Sequence, residues 1–152
     1  NMTLIQEREE LIACGIFPSR PRVAILNYLH NHHTHPTADE IFRSLREKVP
    51  TLSLTTVYNT LRLFADKGVC LSLTINEKQV CYDVNTMPHG HFLCSRCGKV
   101  YDIPCENEFA RPGMSSISGH RIAEVHYYYK GICAECLEIE EKPNVNKSGS
   151  RA

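Results

Sequence analysis

Hydrophobic positions in the first half of the chain repeat with the spacing of α-helices. Apolar residues three or four apart share one face of a helix, so these repeats predict four amphipathic helices. Ser19, Thr37 and Ser53 are predicted to cap the starts of the last three helices, and Gly15 and Gly68 to end the first and fourth. Helix by helix, the apolar positions are Leu4, Ile5, Leu11 and Ile12; Val23, Leu26 and Leu29; Ile41 and Leu45; Leu54, Val57, Leu61 and Phe64.

After Gly68 the helical spacing gives way to alternation with a period of two. Such alternation predicts two strands joined by the polar turn at residues 76–78. Helices followed at once by a hairpin, with short connections, predict a winged helix-turn-helix. The alternating apolar positions are Val69, Leu71, Leu73 and Ile75, and then Val80, Tyr82 and Val84.

A short polar break containing proline, at residues 85–88, separates this region from the rest of the chain. Beyond it, residues 91–93 and 100–103 read as strands, and residues 121–129 as one long strand. The polar end of the chain is expected to be disordered. The predicted domains are a winged-helix domain at 1–84, a hinge at 85–88, a second domain at 89–141 and a disordered tail at 142–152.

Charge and composition exclude some classes of protein. The 17 Lys and Arg residues equal the 17 Asp and Glu residues, so composition alone does not indicate a nucleic-acid binder. No apolar run approaches the roughly 20 residues of a membrane-spanning helix, so we expect no membrane association. Residues 1–10 are polar and charged, unlike a secretory leader. We therefore expect a cytoplasmic protein, in a reducing compartment where stable disulfides are rare.

Four of the eight cysteines form two Cys-x-x-Cys pairs, Cys94/Cys97 and Cys133/Cys136. Each pair places two thiolates on one tight turn, and two such turns can close a tetrahedral shell around zinc. The alternative is a pair of redox-active or disulfide-linked dithiols. The repeated spacing and the reducing compartment favour structural zinc. The remaining cysteines are expected to be small buried apolar residues; they are Cys14, Cys70, Cys81 and Cys105.

The outward face of the fourth helix carries polar groups that suit nucleic acid. Hydroxyl and amide groups near a helix N-terminus can contact phosphates and base edges, and an arginine can contact phosphate or guanine. A solvated helix face is the alternative, but a hairpin placed as a wing favours DNA binding. Arg20 and Arg22, at the start of the second helix, are expected to anchor phosphates. The candidate residues on the fourth helix are Thr55, Thr56, Tyr58, Asn59 and Arg62.

Histidines and aspartates gather around the predicted hinge. His89 and His91 share one side of a strand, Asp83 precedes the hinge, and Asp102 follows the first cysteine pair. Residues 30–35 add four more imidazoles. A histidine is more often solvated or hydrogen-bonded than a ligand, but this convergence favours a ferrous, manganous or zinc ion. An ion bound there could act as a conformational switch between two domains.

Four segments in this order resemble the ferric uptake regulator (Fur) superfamily: HPTADEIF at 35–42, LTTVYNTLR at 54–62, HGHFLCSRCG at 89–98 and CAEC at 133–136. The likeness extends from about Leu4 to Glu138. It implies an α+β homodimer with an N-terminal winged-helix DNA-binding domain and a small C-terminal α/β dimerisation domain. It also implies a metal-dependent transcriptional repressor, not an enzyme. The family's structural zinc falls on Cys94, Cys97, Cys133 and Cys136.

The family's regulatory site falls on His35, Asp83, His89, His91 and Asp102. Iron-responsive members commonly have Glu at the two carboxylate positions, whereas peroxide-sensing members have Asp at both, as here. The chain therefore resembles the peroxide-stress regulator (PerR) branch. In that branch bound iron reacts with hydrogen peroxide, and the oxidant modifies ligating histidines and releases the DNA. The resemblance implies Fe²⁺ or Mn²⁺ as the regulatory ion, Zn²⁺ as a surrogate, and oxidation at His35 and His89.

Two other functions compete with peroxide sensing. One is an iron- or zinc-responsive uptake repressor of the same architecture, in which binding of the metal only reports its concentration. The other is a zinc enzyme or thiol oxidoreductase. Against the enzyme, the chain lacks His-Glu-x-x-His and the deaminase His-x-Glu signature, and a four-cysteine zinc site has no open position for a substrate water. A dimeric winged-helix repressor is expected to bind double-stranded DNA at a partly palindromic operator.

Overall fold

The structure is a computed structural model that describes residues 2–76, 78–86, 89–104, 116–122 and 125–141. The chain divides into two compact units, Asn1–Met87 and Pro88–Ala152. The predicted tail at 142–152, the end of the predicted hinge and Cys105 lie outside the described residues. Among the residues that are described, no helix has both the length and the apolar character needed to cross a lipid bilayer.

The first unit consists of four helices followed by a hairpin. β1 and β2 pair in antiparallel fashion, with Ser72 opposite Tyr82. A hairpin directly after the fourth helix makes this unit a winged helix-turn-helix, as the sequence predicts. The elements are α1 Met2–Ala13, α2 Arg20–Asn31, α3 Ala38–Leu45, α4 Leu54–Asp66, β1 Leu71–Leu73 and β2 Cys81–Asp83.

The four helices share one apolar core, in which each buried Leu, Ile or Phe side chain contributes about 1.5–3 kcal/mol. The apolar face predicted for α1 is partly wrong, because Leu4, Ile5 and Ile12 are exposed. Glu7 and Leu11, four residues apart, form the buried face of α1, and the Glu7 carboxylate accepts a hydrogen bond from Asn27 on α2. The largest fully buried core side chains are Leu11, Ile25, Leu26, Leu29, Ile41, Val57, Leu61 and Phe64.

Local hydrogen bonds fix the starts of α3 and α4. The Thr37 hydroxyl accepts from the Glu40 N–H, and the Glu40 carboxylate accepts from the Thr37 N–H, each at 3.3 Å. The Ser53 hydroxyl accepts from the N–H of Thr56 at 3.1 Å. Caps of this kind contribute about 1 kcal/mol each. Both follow the sequence prediction, because a cap depends only on residues three positions apart.

The second unit contains a three-stranded sheet in the order β4-β3-β7, together with the separate hairpin of β5 and β6. β4 is antiparallel to β3, and β7 is parallel to it. Cys94, the last residue of β3, lies opposite Gly131, the last residue of β7. Both cysteine pairs therefore follow strands that end at one edge of the sheet. The elements are β3 His89–Cys94, β4 Val100–Pro104, β5 Ser116–Ile117, β6 His120–Arg121, β7 Tyr127–Gly131 and α5 Ala134–Glu141.

The single long strand predicted at 121–129 is wrong. Arg121 ends β6, the next strand begins at Tyr127, and Val125 and His126 lie outside any strand. β6 pairs with β5, whereas β7 pairs with β3, so the chain changes partner in this region. The alternation of apolar and polar residues along the sequence does not indicate that the strand partner changes. The strand predicted at 69–75 is also shorter than expected and is restricted to Leu71–Leu73.

Candidate metal centres and nucleic-acid interface

The sulfur atoms of Cys94, Cys97, Cys133 and Cys136 all lie within 4.8 Å of one another. The Sγ atoms of Cys94 and Cys136 are 3.9 Å apart, and those of Cys97 and Cys133 are 3.8 Å apart. A tetrahedral zinc ion with bonds of about 2.3 Å places its sulfur ligands about 3.8 Å from one another. A disulfide bond of about 2.0 Å does not fit these separations, and all four cysteines are free. The cluster therefore has the donors and the spacing for one zinc ion.

Backbone N–H groups favour the thiolate form of Cys94. The N–H groups of Cys97 and Cys133 each lie 3.4 Å from its Sγ atom. Led by the hydrogen bond from Cys97, these donors lower the pKa of Cys94 to about 6, although burial acts in the opposite direction. Gly98 closes the turn with a φ of +77°, which glycine adopts without strain. Because the thiolate is the form that binds metal, this turn prepares a ligand.

In the first unit, His35 and Asp83 form a buried pair. Nε2 of His35 is 3.4 Å from Oδ2 of Asp83. The N–H of Tyr82 donates to the carbonyl oxygen of Pro36 at 3.0 Å, which holds β2 beside the loop that carries His35. His35 has a φ of +56°, in the left-handed region, at a cost of about 1–2 kcal/mol for a residue with a Cβ atom. Such backbone strain clusters at binding sites.

In the second unit, His89 and His91 face one oxygen of Asp102. Oδ1 of Asp102 is 3.2 Å from Nε2 of His89 and 3.4 Å from Nε2 of His91. The sheet explains this arrangement, because His91 lies opposite Asp102 and His89 projects from the same face of β3. Both imidazoles are buried. Nitrogen and carboxylate oxygen donors of this kind suit Fe²⁺, Mn²⁺ or Zn²⁺.

The five residues of the predicted regulatory set are thus divided between the two units, and within each unit they lie together. The other histidines of segment 30–35 have different surroundings. Nε2 of His30 is 2.8 Å from the Glu10 carboxylate. The ring of His32 stacks on Tyr28 with centroids 3.9 Å apart, and His33 is exposed. These contacts give His30 and His32 structural roles within the helical unit.

Tyr128 is a neighbour of this donor set that the sequence prediction missed. It lies opposite His91 on β7, and the two rings meet edge to face with centroids 6.3 Å apart. Its hydroxyl is 3.3 Å from Nδ1 of His126. No signal in the sequence could have assigned this contact, because it depends on the parallel pairing of β3 with β7.

The predicted DNA-contacting face of α4 is largely open to solvent. Thr55, Tyr58, Asn59 and Arg62 are exposed, while Val57, Leu61 and Phe64 are buried beneath them. Thr56 differs, since it is half-buried and its hydroxyl lies 2.8 Å from that of Ser53. On α2, Arg20 is exposed, with Nη2 3.4 Å from the carbonyl oxygen of Lys48. The helix therefore presents hydroxyl, amide and guanidinium groups on one face.

Comparison with known proteins identifies relatives along most of the chain. Residues 15–111 match the model of the ferric uptake regulator family. The peroxide-responsive repressor PerR of Staphylococcus aureus strain Mu50 is 40% identical over 142 residues, which cover 87% of this chain and 93% of that protein. The PerR protein of strain USA300 is 39% identical over the same length.

Solved structures resemble this one in fold. The ferric uptake regulator of Pseudomonas aeruginosa with manganese has a TM-score of 0.68 at 22% identity, covering 84% of this chain and 98% of that chain. The peroxide stress regulator of Campylobacter jejuni has a TM-score of 0.63 at 21% identity, covering 88% of this chain and 98% of that one.

Proposed function

Because the chain belongs to the ferric uptake regulator family, we propose that it is a metal-dependent transcriptional repressor that senses peroxide through oxidation of its metal-ligating histidines. The donor chemistry carries this proposal. Asp83 lies beside His35, and Asp102 lies beside His89 and His91, so both carboxylates of the predicted set are aspartates. The name of the S. aureus relatives, peroxide-responsive repressor, agrees with it.

The structural ion in this proposal is Zn²⁺, bound by Cys94, Cys97, Cys133 and Cys136. It would join the turn after β3 to the start of α5, and so hold together two segments far apart in sequence. Because a shell of four thiolates is closed, this ion would leave no position for substrate. Binding of such an ion is coupled to folding.

The proposed regulatory ion is Fe²⁺ or Mn²⁺, with Zn²⁺ as a surrogate. We propose that one ion is bound by His35 and Asp83 from the first unit and by His89, His91 and Asp102 from the second. Two carboxylates would balance the charge of a divalent ion, and the three imidazoles would bind as neutral donors. An ion shared in this way would couple the two units, and its loss would uncouple them.

When bound, ferrous iron would give one electron to cleave the O–O bond of hydrogen peroxide and take one back as the imidazole is oxidised, so that histidine and peroxide yield a histidine with one added oxygen and one water. The proposed targets of the oxidant are His35 and His89. An imidazole that has gained one oxygen atom is a poorer donor, so its oxidation would weaken the hold on the ion and release the operator. Each protein would respond once and would not turn over, which makes it a regulator and not an enzyme.

The proposed partner is double-stranded DNA with a partly palindromic operator, bound by a homodimer in the cytoplasm. Two copies related by a two-fold axis would present two α4 helices to two half-sites. The exposed face of α4 supports this role. Of the candidates, Thr56 has the least freedom, because its hydroxyl is engaged by Ser53. The proposed contacts are Arg20, Thr55, Thr56, Tyr58, Asn59 and Arg62.

The first prediction concerns the ligating histidines. Protein loaded with Fe²⁺ under anaerobic conditions and treated with a small excess of hydrogen peroxide is expected to lose operator binding. Peptide mapping by mass spectrometry is expected to show a gain of one oxygen on the peptides that contain His35 or His89. The Mn²⁺-loaded protein is the control. It is expected to keep its operator binding and its unmodified histidines, because bound Mn²⁺ does not convert hydrogen peroxide into the oxidant.

A matched pair of variants tests the role of the aspartates. Asp83→Glu and Asp102→Glu keep the carboxylate but lengthen the side chain by one methylene. Each is expected to retain iron-dependent operator binding and to show a smaller oxidised fraction of histidine.

A different result in the wild-type protein would favour the competing function. If iron-loaded protein keeps unmodified histidines after peroxide treatment, and a chelator alone releases the DNA, the protein is an uptake repressor that responds only to metal supply.

A further inference from the structure

Tyr101 lies on β4 and packs against the four-cysteine cluster. It is opposite Phe92 in the sheet, with ring centroids 6.4 Å apart. Phe92, Tyr101 and Ile132 form the apolar wall around the buried residues Cys94, Cys133 and Cys136. A phenol ring is therefore part of the immediate surroundings of the proposed zinc ligands.

The hydroxyl group of Tyr101 is buried in this wall. Within the described part of the chain it has no hydrogen-bond partner, sulfur atoms included. A buried hydroxyl without a partner is unfavourable. The wall packs on cysteine sulfur atoms, and a sulfur becomes a good acceptor when it carries the negative charge of a thiolate, as it would with a metal ion bound.

We propose that Tyr101 is a positioning residue of the four-cysteine site, whose O–H group donates a hydrogen bond to a sulfur atom of the cluster in the metal-bound protein. This inference rests on the proposed zinc site. The hydrogen bond orients the sulfur toward the ion and withdraws part of its negative charge. Partners of this kind outside the ligand shell commonly change metal affinity by about 10–100-fold. Tyr101 thereby slows the loss of the ion.

Tyr101→Phe tests this role, because it removes one oxygen atom and keeps the ring in the apolar wall. Tyr129→Phe is the matched control. Tyr129 is 44% exposed, and its ring lies against Gly90, at the opposite end of β3 from Cys94. Full-length wild-type and variant proteins are prepared with zinc, and separately with Co²⁺, whose absorption spectrum reports directly on bound thiolates.

In the Co²⁺ protein, Tyr101→Phe is expected to shift the sulfur-to-cobalt charge-transfer band to longer wavelength, because a thiolate without the donated hydrogen bond gives up an electron more easily. The bands that report tetrahedral geometry are expected to stay in place. In the zinc protein, release of the ion to an excess of chelator is expected to be about tenfold faster. Tyr129→Phe is expected to match the wild-type protein in both measurements.

Two outcomes would overturn the inference, and they are distinguishable. If wild-type protein binds Co²⁺ through thiolates but Tyr101→Phe leaves both the charge-transfer band and the release rate unchanged, Tyr101 does not donate to the site. If wild-type protein gives no thiolate charge-transfer band and contains no zinc, the proposed zinc site fails and the inference fails with it.

Discussion

His35 and Asp102 illustrate how single residues are prepared for metal binding. The left-handed backbone of His35 and the burial of its ring leave the imidazole little freedom to turn away from Asp83. Oδ1 of Asp102 lies within 3.4 Å of two imidazole nitrogens, so one carboxylate oxygen faces both rings. Residues held in this way lose little conformational entropy when an ion arrives, which favours binding.

A prediction at this scale concerns the cysteines outside the cluster. Burial raises the pKa of Cys70 to about 12 and also raises that of Cys81. A thiol with a raised pKa stays protonated near neutral pH, and only the thiolate is nucleophilic. Iodoacetamide at about pH 8 is therefore expected to leave Cys70 and Cys81 unmodified in the native, metal-loaded protein.

Peptide mass spectrometry measures this protection directly. Denatured, chelator-treated protein is the control, and all its cysteines are expected to react. Alkylation of native Cys70 as fast as a free peptide thiol would contradict the prediction and would mean that this part of the first unit opens readily.

At the scale of single elements, α4 has a buried face and an exposed face, and the proposed DNA contacts lie on the exposed one. Val57, Leu61 and Phe64 fix the helix in the core, so Asn59 and Arg62 can be changed without loss of packing. Arg62→Ala is expected to weaken operator binding by about 1–3 kcal/mol and to reduce its dependence on salt if the contact is to phosphate.

Arg121→Ala is the matched control, since it removes the same charge from the exposed β6 strand of the second unit. Titration of labelled operator DNA at several salt concentrations gives both quantities, and the zinc content is expected to be unchanged in each variant. Equal affinities for Arg62→Ala and wild-type protein would exclude Arg62 from the interface.

Elements with local signals could be predicted from the sequence. The capping box at Thr37 and the alternation around Leu71 involve residues a few positions apart, and both features are present in the structure. The helix α5 was not predicted, because Ala134–Glu141 has only a weak apolar periodicity. The exposed apolar residues of α1 were assigned to the core, because periodicity identifies a face but not the neighbour that covers it.

In the candidate sites too, features with a local signal could be predicted, whereas contacts between distant residues could not. The cysteine spacing is local and identified the four sulfur donors, whose proximity the structure then describes. The contacts of Tyr101 and Tyr128 depend on which strands pair and in which register. Parallel pairing across a long connection leaves no mark in a short sequence window, so these two tyrosines could be recognised only in the folded chain.

At the scale of the whole molecule, the two units differ in what stabilises them. The first has a core of aliphatic and aromatic side chains, whereas one buried cluster of the second consists of Cys94, Cys133 and Cys136. Cys94→Ser is therefore expected to abolish zinc binding, to unfold the second unit and to leave a monomer. The first unit is expected to remain folded, because its core is its own.

Zinc analysis, sedimentation and peptide-resolved hydrogen exchange test these three expectations. Cys14→Ser changes a half-buried cysteine outside the cluster and is the matched control, expected to behave as wild type. A Cys94→Ser protein that is dimeric, protected from exchange in its second unit and able to bind DNA would refute a structural role for the metal.

The parallel pairing of β3 and β7 also affects the order in which the protein matures. Cys97 and Cys133 are 36 residues apart, so the strands that lead into the two cysteine pairs meet only after a long stretch of chain has been made. The helices and hairpin of the first unit pair with near neighbours and leave the ribosome first. Closing the later loop costs more entropy, because its ends are far apart in sequence. A newly made chain is therefore expected to complete its winged-helix unit before the second unit, whose completion would await the ion proposed for the four cysteines.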